Sequence, residues 1–223
     1  MKGQQLPLSV QLRDTASFDS FYVGPNALTF SALRDLRGAV LVYGASGSGR
    51  THLLQAVART RGCAYLPLRE LRDIGVDVLN GHDTAEVLCV DDLDAVCAER
   101  NWALTLLRLL DARRDRATLL SANAAPDRLE LALPDLRTRL SQCTVFGLKP
   151  LTDADRAELL RERARARGLD LPPEVSRWLL TQLSRDTASL VDAVDALDRA
   201  ALSAKRRLTL PFVQSILDSS SPQ

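Results

Sequence analysis

The hydrophobic positions change their rhythm about two-thirds of the way along the chain. Up to about residue 149 they come in short runs: Val40-Leu41-Val42-Tyr43, Cys63-Ala64-Tyr65-Leu66-Pro67, Val87-Leu88-Cys89-Val90, Ala117-Thr118-Leu119-Leu120-Ser121 and Thr144-Val145-Phe146. Short apolar runs without polar alternation suit strands covered on both faces, as in a parallel sheet. Longer stretches with helical spacing lie between them. One begins near Gly49 and carries Leu53, Leu54, Ala56, Val57 and Ala58; another follows the third run and offers Trp102, Leu104, Leu107 and Leu110 for burial. Strands alternating with helices predict an α/β fold built on a doubly wound parallel sheet.

From Pro150 onward the strand-like runs cease. Thr152-Asp153-Ala154-Asp155 reads as a capped helix start. Gly168 ends that helix, and Pro172-Pro173 opens the next. Asp186-Thr187 caps a third helix with Leu190, Val194 and Leu197 at helical spacing, and Pro211 starts a last short one with Phe212, Val213, Ile216 and Leu217. The expected organisation is a flexible arm over 1–13, an α/β domain over 14–149 and a small all-helical domain over 150–223. Arg161, Arg163, Arg165 and Arg167 are spaced by two, with Glu158 and Glu162 among them. That spacing spreads them around a helix, the pattern of a solvated face rather than a nucleic-acid patch.

Composition narrows the function classes. Of 223 residues, 46% are hydrophobic, enough for a sizeable core. Lys and Arg number 29 against 28 Asp and Glu, a net charge of +1, which argues against strong non-specific attraction to DNA or anionic membranes and leaves room for a local basic patch. No run approaches the ~18 apolar residues of a membrane span, and no signal-peptide pattern opens the sequence, so a cytosolic protein is expected. Cys63, Cys89, Cys97 and Cys143 form no C-x-x-C pair and read as free, buried thiols. His52 and His82 lie away from any cysteine pair, so no metal cluster is read; His52 is expected on the helix after Gly49 and His82 in a polar loop.

Four places carry candidate chemistry. Gly44-Ala45-Ser46-Gly47-Ser48-Gly49-Arg50-Thr51 has the form G-x-x-x-x-G-[basic]-[ST] between an apolar strand and a helix. Its glycines let backbone N–H groups turn toward phosphate oxygens, the following helix presents its positive end to the same anion, and Thr51 offers a hydroxyl to Mg²⁺. Arg50 stands where lysine is usual; it keeps the charge in a bulkier, planar form. Asp91-Asp92 closes the third strand: the first carboxylate can hold Mg²⁺ through water and the second can polarise an attacking water, or the pair is a solvated strand-ending turn. Asn123 follows the fourth strand, where strand ends meet a ligand crevice. Its amide can orient a water, or it forms the turn before Ala124-Ala125-Pro126. Arg137 and Arg139 lie in Leu133-Pro134-Asp135-Leu136-Arg137-Thr138-Arg139-Leu140, and an outward arginine there can reach a neighbour's nucleotide as an arginine finger.

On these pieces the chain resembles the DnaA family of replication-initiator ATPases, a branch of the AAA+ class. Phe18-Asp19-Ser20-Phe21-Tyr22-Val23-Gly24-Pro25-Asn26 is similar to the family's leading segment. The better match is to the shorter Hda type, the DnaA-homologous regulatory inactivators. Three features carry it: Arg50 in place of lysine, the segment Arg167-Gly168-Leu169-Asp170-Leu171-Pro172-Pro173-Glu174-Val175, and the tail Arg206-Arg207-Leu208-Thr209-Leu210-Pro211-Phe212-Val213. An initiator would continue into a helix-turn-helix DNA-binding domain, which is not expected after this tail.

The resemblance implies an AAA+ P-loop fold with a C-terminal helical lid. Gly44–Thr51 would hold the phosphates of ADP or ATP, with Mg²⁺ near Thr51 and Asp91. Asp91 and Asp92 would be the Walker B pair, Asn123 would occupy the sensor 1 position, and Arg139 would be the arginine finger. Gln5-Leu6-Pro7-Leu8, completed by Ser9 and Val10, resembles the motif that docks on the sliding clamp, the β subunit of DNA polymerase III, with Gln5, Leu6 and Leu8 as the contacts. Ala188 falls where initiators carry the sensor 2 arginine, and with Arg50 this points away from efficient hydrolysis in cis. The implied function is regulatory inactivation of DnaA: the clamp-bound protein stimulates hydrolysis of DnaA-bound ATP through Arg139, meets DNA only through the clamp and restrains replication initiation. A self-contained, DNA-stimulated, clamp-loader-like ATPase and a tethering module with a structural nucleotide stay open, as do monomer and homodimer.

Overall fold

A computed structural model describes residues 16–183, 187–204 and 207–220. The fold is α/β, a five-stranded sheet with helices up to β5 and helices alone after it. The chain divides into two compact units, one formed by residues up to 149 without 46–48, the other by residues from 150 on together with 46–48.

In the first unit, helix α1 (Ala27–Arg34) precedes strand β1 (Ala39–Tyr43), which is followed by α2 (Arg50–Arg61), β2 (Ala64–Pro67), the single turn α3 (Leu68–Leu71), β3 (Val87–Asp91), α4 (Arg100–Ala112), β4 (Ala117–Ala122), α5 (Pro134–Ser141) and β5 (Thr144–Gly147). The five strands form one sheet in the order β2-β3-β4-β1-β5, and every pairing is parallel. Side chains alternate across the sheet plane. Val40 and Val42, with Cys89 and Leu119, pack against Leu53, Leu54 and Val57 of α2 and Leu33 of α1. Leu41, Leu88, Val90 and Leu120 pack on the other face with Trp102, Leu106 and Leu110 of α4 and Leu136 and Leu140 of α5. The strands are mostly apolar because both faces are covered, with Asp91, Thr118 and Ser121 as their buried polar members. The exception is β5 at the sheet edge, where Thr144, Val145 and Gly147 are exposed.

Two expectations are corrected here. The buried stripe of α4 is Trp102, Ala103, Leu106, Leu109 and Leu110, whereas Leu104 points to solvent and Leu107 is half-buried. Cys89, Cys97 and Cys143 are buried, but Cys63, which precedes β2, is only partly so. One buried charge was not foreseen. Arg113 is 1% exposed, and its guanidinium donates to Thr118 Oγ1 (3.0 Å) and to the carbonyl oxygens of His82 (2.6 Å), Ala85 (2.8 Å) and Ala117 (2.8 Å). Burial lowers its pKa, and these four bonds satisfy the cation without any carboxylate.

The second unit holds α6 (Asp153–Ala166), α7 (Pro173–Gln182), α8 (Thr187–Ala204) and α9 (Leu210–Ser220). Leu160, Val175, Leu179, Leu190, Val194, Leu197 and Val213 form its core. A capping box starts α6: Asp155 N–H donates to Thr152 Oγ1 (3.2 Å) and Thr152 N–H to Asp155 Oδ2 (2.9 Å). Gly168, at φ 71°, ends it, and Leu169 N–H reaches back to Ala164 O (2.9 Å). Within the arginine series, Arg161 and Arg165 pair with Glu158 on the helix surface, whereas Arg167 crosses to Asp195 of α8. Arg167 is therefore a packing residue rather than part of a solvated face. No helix among the described residues is long and apolar enough to cross a membrane.

Candidate functional site

The phosphate-loop sequence leaves the C-terminal end of β1, where Gly44 N–H donates to Ala122 O (3.3 Å) of β4. Gly47 (φ 74°) and Gly49 (φ 95°) hold left-handed backbone that side-chain-bearing residues avoid. At Gly49 space is also short: a Cβ would lie 2.8 Å from a ring carbon of Phe21. Helix α2 then begins at Arg50, so its unpaired N–H groups and positive end face the loop. The Ser48 hydroxyl is buried with no hydrogen-bond partner among the described residues, a donor of the kind that anion oxygens satisfy, while Arg50 Nη1 lies 3.6 Å from the Asp94 carboxylate.

The segment before α1 closes over the start of α2. Phe21 stacks on Phe30 (5.9 Å between ring centroids), and Phe18 meets Phe30 edge-on (5.4 Å). His52 Nε2 donates to Ser17 O (2.9 Å) and lies 3.1 Å from Ser20 Oγ. His52 thus pins this segment, a role its place on a helix did not announce. Asn26 fastens the segment's end by exchanging two hydrogen bonds with the backbone of Lys149 (2.8 and 3.1 Å).

Asp91 and Asp92 sit side by side at the end of β3 but in different environments. Asp91 is 1% exposed. Tyr65 Oη donates to its Oδ2 at 2.7 Å, and the Ser121 hydroxyl donates to its Oδ1. Burial, then the adjacent Asp91 carboxylate, drives the Tyr65 phenol pKa far up. Asp92 carries φ 55°, the single positive φ among described residues other than glycine. Its N–H is held by Ser121 Oγ (2.9 Å) and Asp91 Oδ1 (3.1 Å). Such backbone strain of ~1–3 kcal/mol clusters at ligand sites.

Two residues that the sequence did not single out complete the charge pattern. The Arg50 guanidinium lies 3.5 Å from Asp92 and 3.6 Å from Asp94, and Arg69 of α3 reaches Asp92 (3.1 Å) and Asp94 (3.2 Å) from the other side. Two cations thus bracket two carboxylates. Asp94 also accepts the N–H of Asn123 (2.8 Å). Asn123 itself is exposed beyond β4. Asp94 had a sequence cue in the acidic run Asp91-Asp92-Leu93-Asp94; Arg69 had none, because only the pairing of β2 with β3 brings it there.

Arg139 lies elsewhere. Its guanidinium donates to Leu110 O (2.9 Å) and Gln142 Oε1 (2.8 Å) and lies 3.4 Å from Asp111. It lines a cleft of about 210 Å³ with Arg37, Arg113, Arg114, Gly38 and Thr144. Gly38 and Thr144 mark the N-terminal ends of β1 and β5, so the cleft is at the opposite end of the sheet from Gly44. Arg137 is structural: it donates to Pro126 O and to Leu129 O (2.8 Å). Gln5, Leu6 and Leu8 lie outside the described residues. Ala188 is on α8, and its side chain is likewise outside them.

Residues 153–217 match the family model described as "Hda, lid domain". Among solved structures, domain III of the replication initiation protein DnaA from Thermotoga maritima superposes with a TM-score of 0.75 at 18% identity, covering 94% of this chain and 98% of that one. A replication initiator DnaA bound to AMPPCP and single-stranded DNA gives 0.70 at 20% identity, over 87% of this chain and 69% of that one. A mutant RuvB from Thermotoga maritima gives 0.61 at 15% identity, over 92% and 72%. The chain shares its fold with these DnaA and RuvB structures. It is thus similar to the Hda lid over residues 153–217 and to DnaA structures in fold.

Proposed function

We propose that this protein regulates DnaA: it binds an adenine nucleotide at Gly44–Thr51, docks on the DNA-loaded sliding clamp through Gln5, Leu6 and Leu8, and uses Arg139 to speed hydrolysis of ATP held by DnaA. The observation that carries this reading is the position of Arg139. β1 has five residues, so its two ends are roughly 15 Å apart at ~3.3 Å per residue. An arginine at the N-terminal end is out of reach of its own phosphate loop and available to a neighbour's nucleotide once it turns out of its contacts with Leu110, Gln142 and Asp111. The guanidinium would then stabilise charge developing on the transferred phosphoryl group.

The buried Ser48 hydroxyl, without a hydrogen-bond partner among the described residues, supports nucleotide binding, and a DnaA of the same fold is described with AMPPCP. Thr51 and Asp91 are the groups that would hold Mg²⁺, which would supply charge neutralisation at the phosphates. Asp92 is poorly suited to activate water in cis, since Arg50 and Arg69 both engage it. A resident nucleotide that shapes the domain, with the decisive hydrolysis in the partner, fits these contacts best.

The test is to combine ATP-bound DnaA, DNA-loaded clamp and this protein and to follow phosphate release. Wild type should stimulate hydrolysis. Arg139→Ala should remove most of an effect that arginine fingers typically bring to ~10³–10⁵-fold. Gln5→Ala should lose stimulation at low concentration and regain it at high, because it loses the tether and not the chemistry. No stimulation by wild type above clamp and DnaA alone sinks the proposal. Full activity of Arg139→Ala would make the protein a tether, and turnover by the isolated chain that Asp91→Ala abolishes would make it a self-contained ATPase.

A further inference from the structure

We propose that Cys63 and Cys89 form a peroxide-responsive thiol pair that closes to a reversible intramolecular disulfide. Their sulfurs lie 3.9 Å apart, within the first unit and away from the phosphate loop. Cys63 stands between Gly62, the left-handed cap of α2, and the first residue of β2. Cys89 is inside β3, the strand paired with β2, and is fully buried. The two thiols therefore differ in the way a reacting and a resolving cysteine differ: one is only partly buried, and the other touches it from within the core.

The surroundings set the order of events. The contact with the Cys89 thiol above all lowers the Cys63 pKa, against burial that raises it, and Arg113 and Arg61 add smaller effects in the same downward direction. Cys97 and Cys143 are pushed the other way by burial, each to about 11. Among the four thiols Cys63 is the nucleophile. Its thiolate attacks one oxygen of hydrogen peroxide, the O–O bond breaks, and hydroxide leaves to become water, giving a sulfenic acid. The Cys89 sulfur then attacks the Cys63 sulfur, the S–O bond breaks, the Cys89 proton leaves with the hydroxyl as a second water, and the S–S bond remains. Peroxide is reduced by two electrons and the thiol pair is oxidised by two. A small dithiol reverses the step by exchange.

The experiment treats the full chain with a small excess of hydrogen peroxide, quenches it, and counts free thiols after denaturation. The four free cysteines should fall to two, with an intact mass lower by two hydrogens and a peptide linking Cys63 to Cys89. Dithiothreitol should restore all four. Cys63→Ser should keep its remaining three thiols under the same treatment. Cys89→Ala, with circular dichroism to verify folding, should accumulate a sulfenic acid at Cys63 that dimedone traps. In untreated wild type, iodoacetamide near neutral pH should label Cys63 roughly tenfold or more faster than Cys97 or Cys143, a readout independent of any variant's folding. A thiol count that stays at four, a stable sulfenic acid at Cys63 of wild type without cross-link, or a disulfide between two chains overturns the pairing.

Discussion

Asp91 shows how a single buried carboxylate is kept in place. Tyr65 and Ser121 donate to its two oxygens, and both donors come from neighbouring strands. Tyr65→Phe leaves one oxygen short of a partner in a buried site, at a cost of about 1–3 kcal/mol. Urea unfolding should register that loss with an unchanged slope. Arg113 is the more demanding case. Arg113→Met removes four hydrogen bonds and strands three carbonyl oxygens near the sheet end, so a loss above about 3 kcal/mol is expected in the same assay. The buried thiols make a pH prediction. Cys97 and Cys143 move from an ordinary 9.0 to about 11 in the folded protein. A raised folded pKa contributes stability that is present below pH about 9 and is lost as the pH climbs through about 11, because the unfolded thiols ionise first. Tyr65 and Cys89 shift in the same direction, while Cys63 shifts oppositely. Urea midpoints should therefore fall between pH 9 and 11, and a Cys97→Ala, Cys143→Ala double variant should fall less steeply; equal slopes would refute the assignment.

At the scale of elements, burial pattern decides both what matters and what the sequence discloses. Trp102 and Leu104 are two positions apart on α4, yet one is 1% and the other 39% exposed. Trp102→Ala should cost about 3–5 kcal/mol and Leu104→Ala within about 0.5 kcal/mol, by thermal unfolding of the two variants side by side. Thr152→Ala should cost about 1 kcal/mol by breaking the capping box of α6. Strands β1 to β4 were legible because a strand covered on both faces leaves an unbroken apolar run, and the lid helices were legible from their caps and prolines. The face of α4 was misjudged because leucines surround it, and only the packing of α4 on the sheet selects the stripe. Helices α1, α3 and α5 are too short to carry a clear period. At the candidate site, the glycine-rich segment Gly44–Thr51 and the acidic pair Asp91-Asp92 stand out in the sequence as local patterns. Arg69 does not, since it joins Asp92 and Asp94 only through the pairing of β2 with β3. Cys63 and Cys89 escaped for the same reason: their proximity is a matter of register across 26 residues.

At the scale of the whole first unit, the parallel sheet separates two candidate sites by direction alone. Strand C-termini gather Gly44, Asp91, Asp92 and Asn123, while strand N-termini gather Arg37, Arg113, Arg114 and Arg139. A parallel sheet makes this unavoidable, since every strand runs from one cluster toward the other. If the proposed division of labour is right, the two ends can be damaged independently. Arg139→Gln should leave the protein's own affinity for Mg–ADP within about twofold, because the guanidinium is a strand length away from the loop. Asp91→Asn should weaken that affinity and lower stability, because it removes the anion that Tyr65 and Ser121 are arranged to satisfy. The two sites share no partner and are farther apart than the ~7–10 Å over which stability effects couple, so the double variant should lose the sum of the single losses to within about 0.5 kcal/mol. Calorimetric titration with Mg–ADP and urea unfolding of the four proteins would read both quantities. A marked loss of affinity in Arg139→Gln, or a clear departure from additivity, would mean that the arginine-lined end acts on this chain's own phosphate loop, and the case for its acting on a partner's nucleotide would fail.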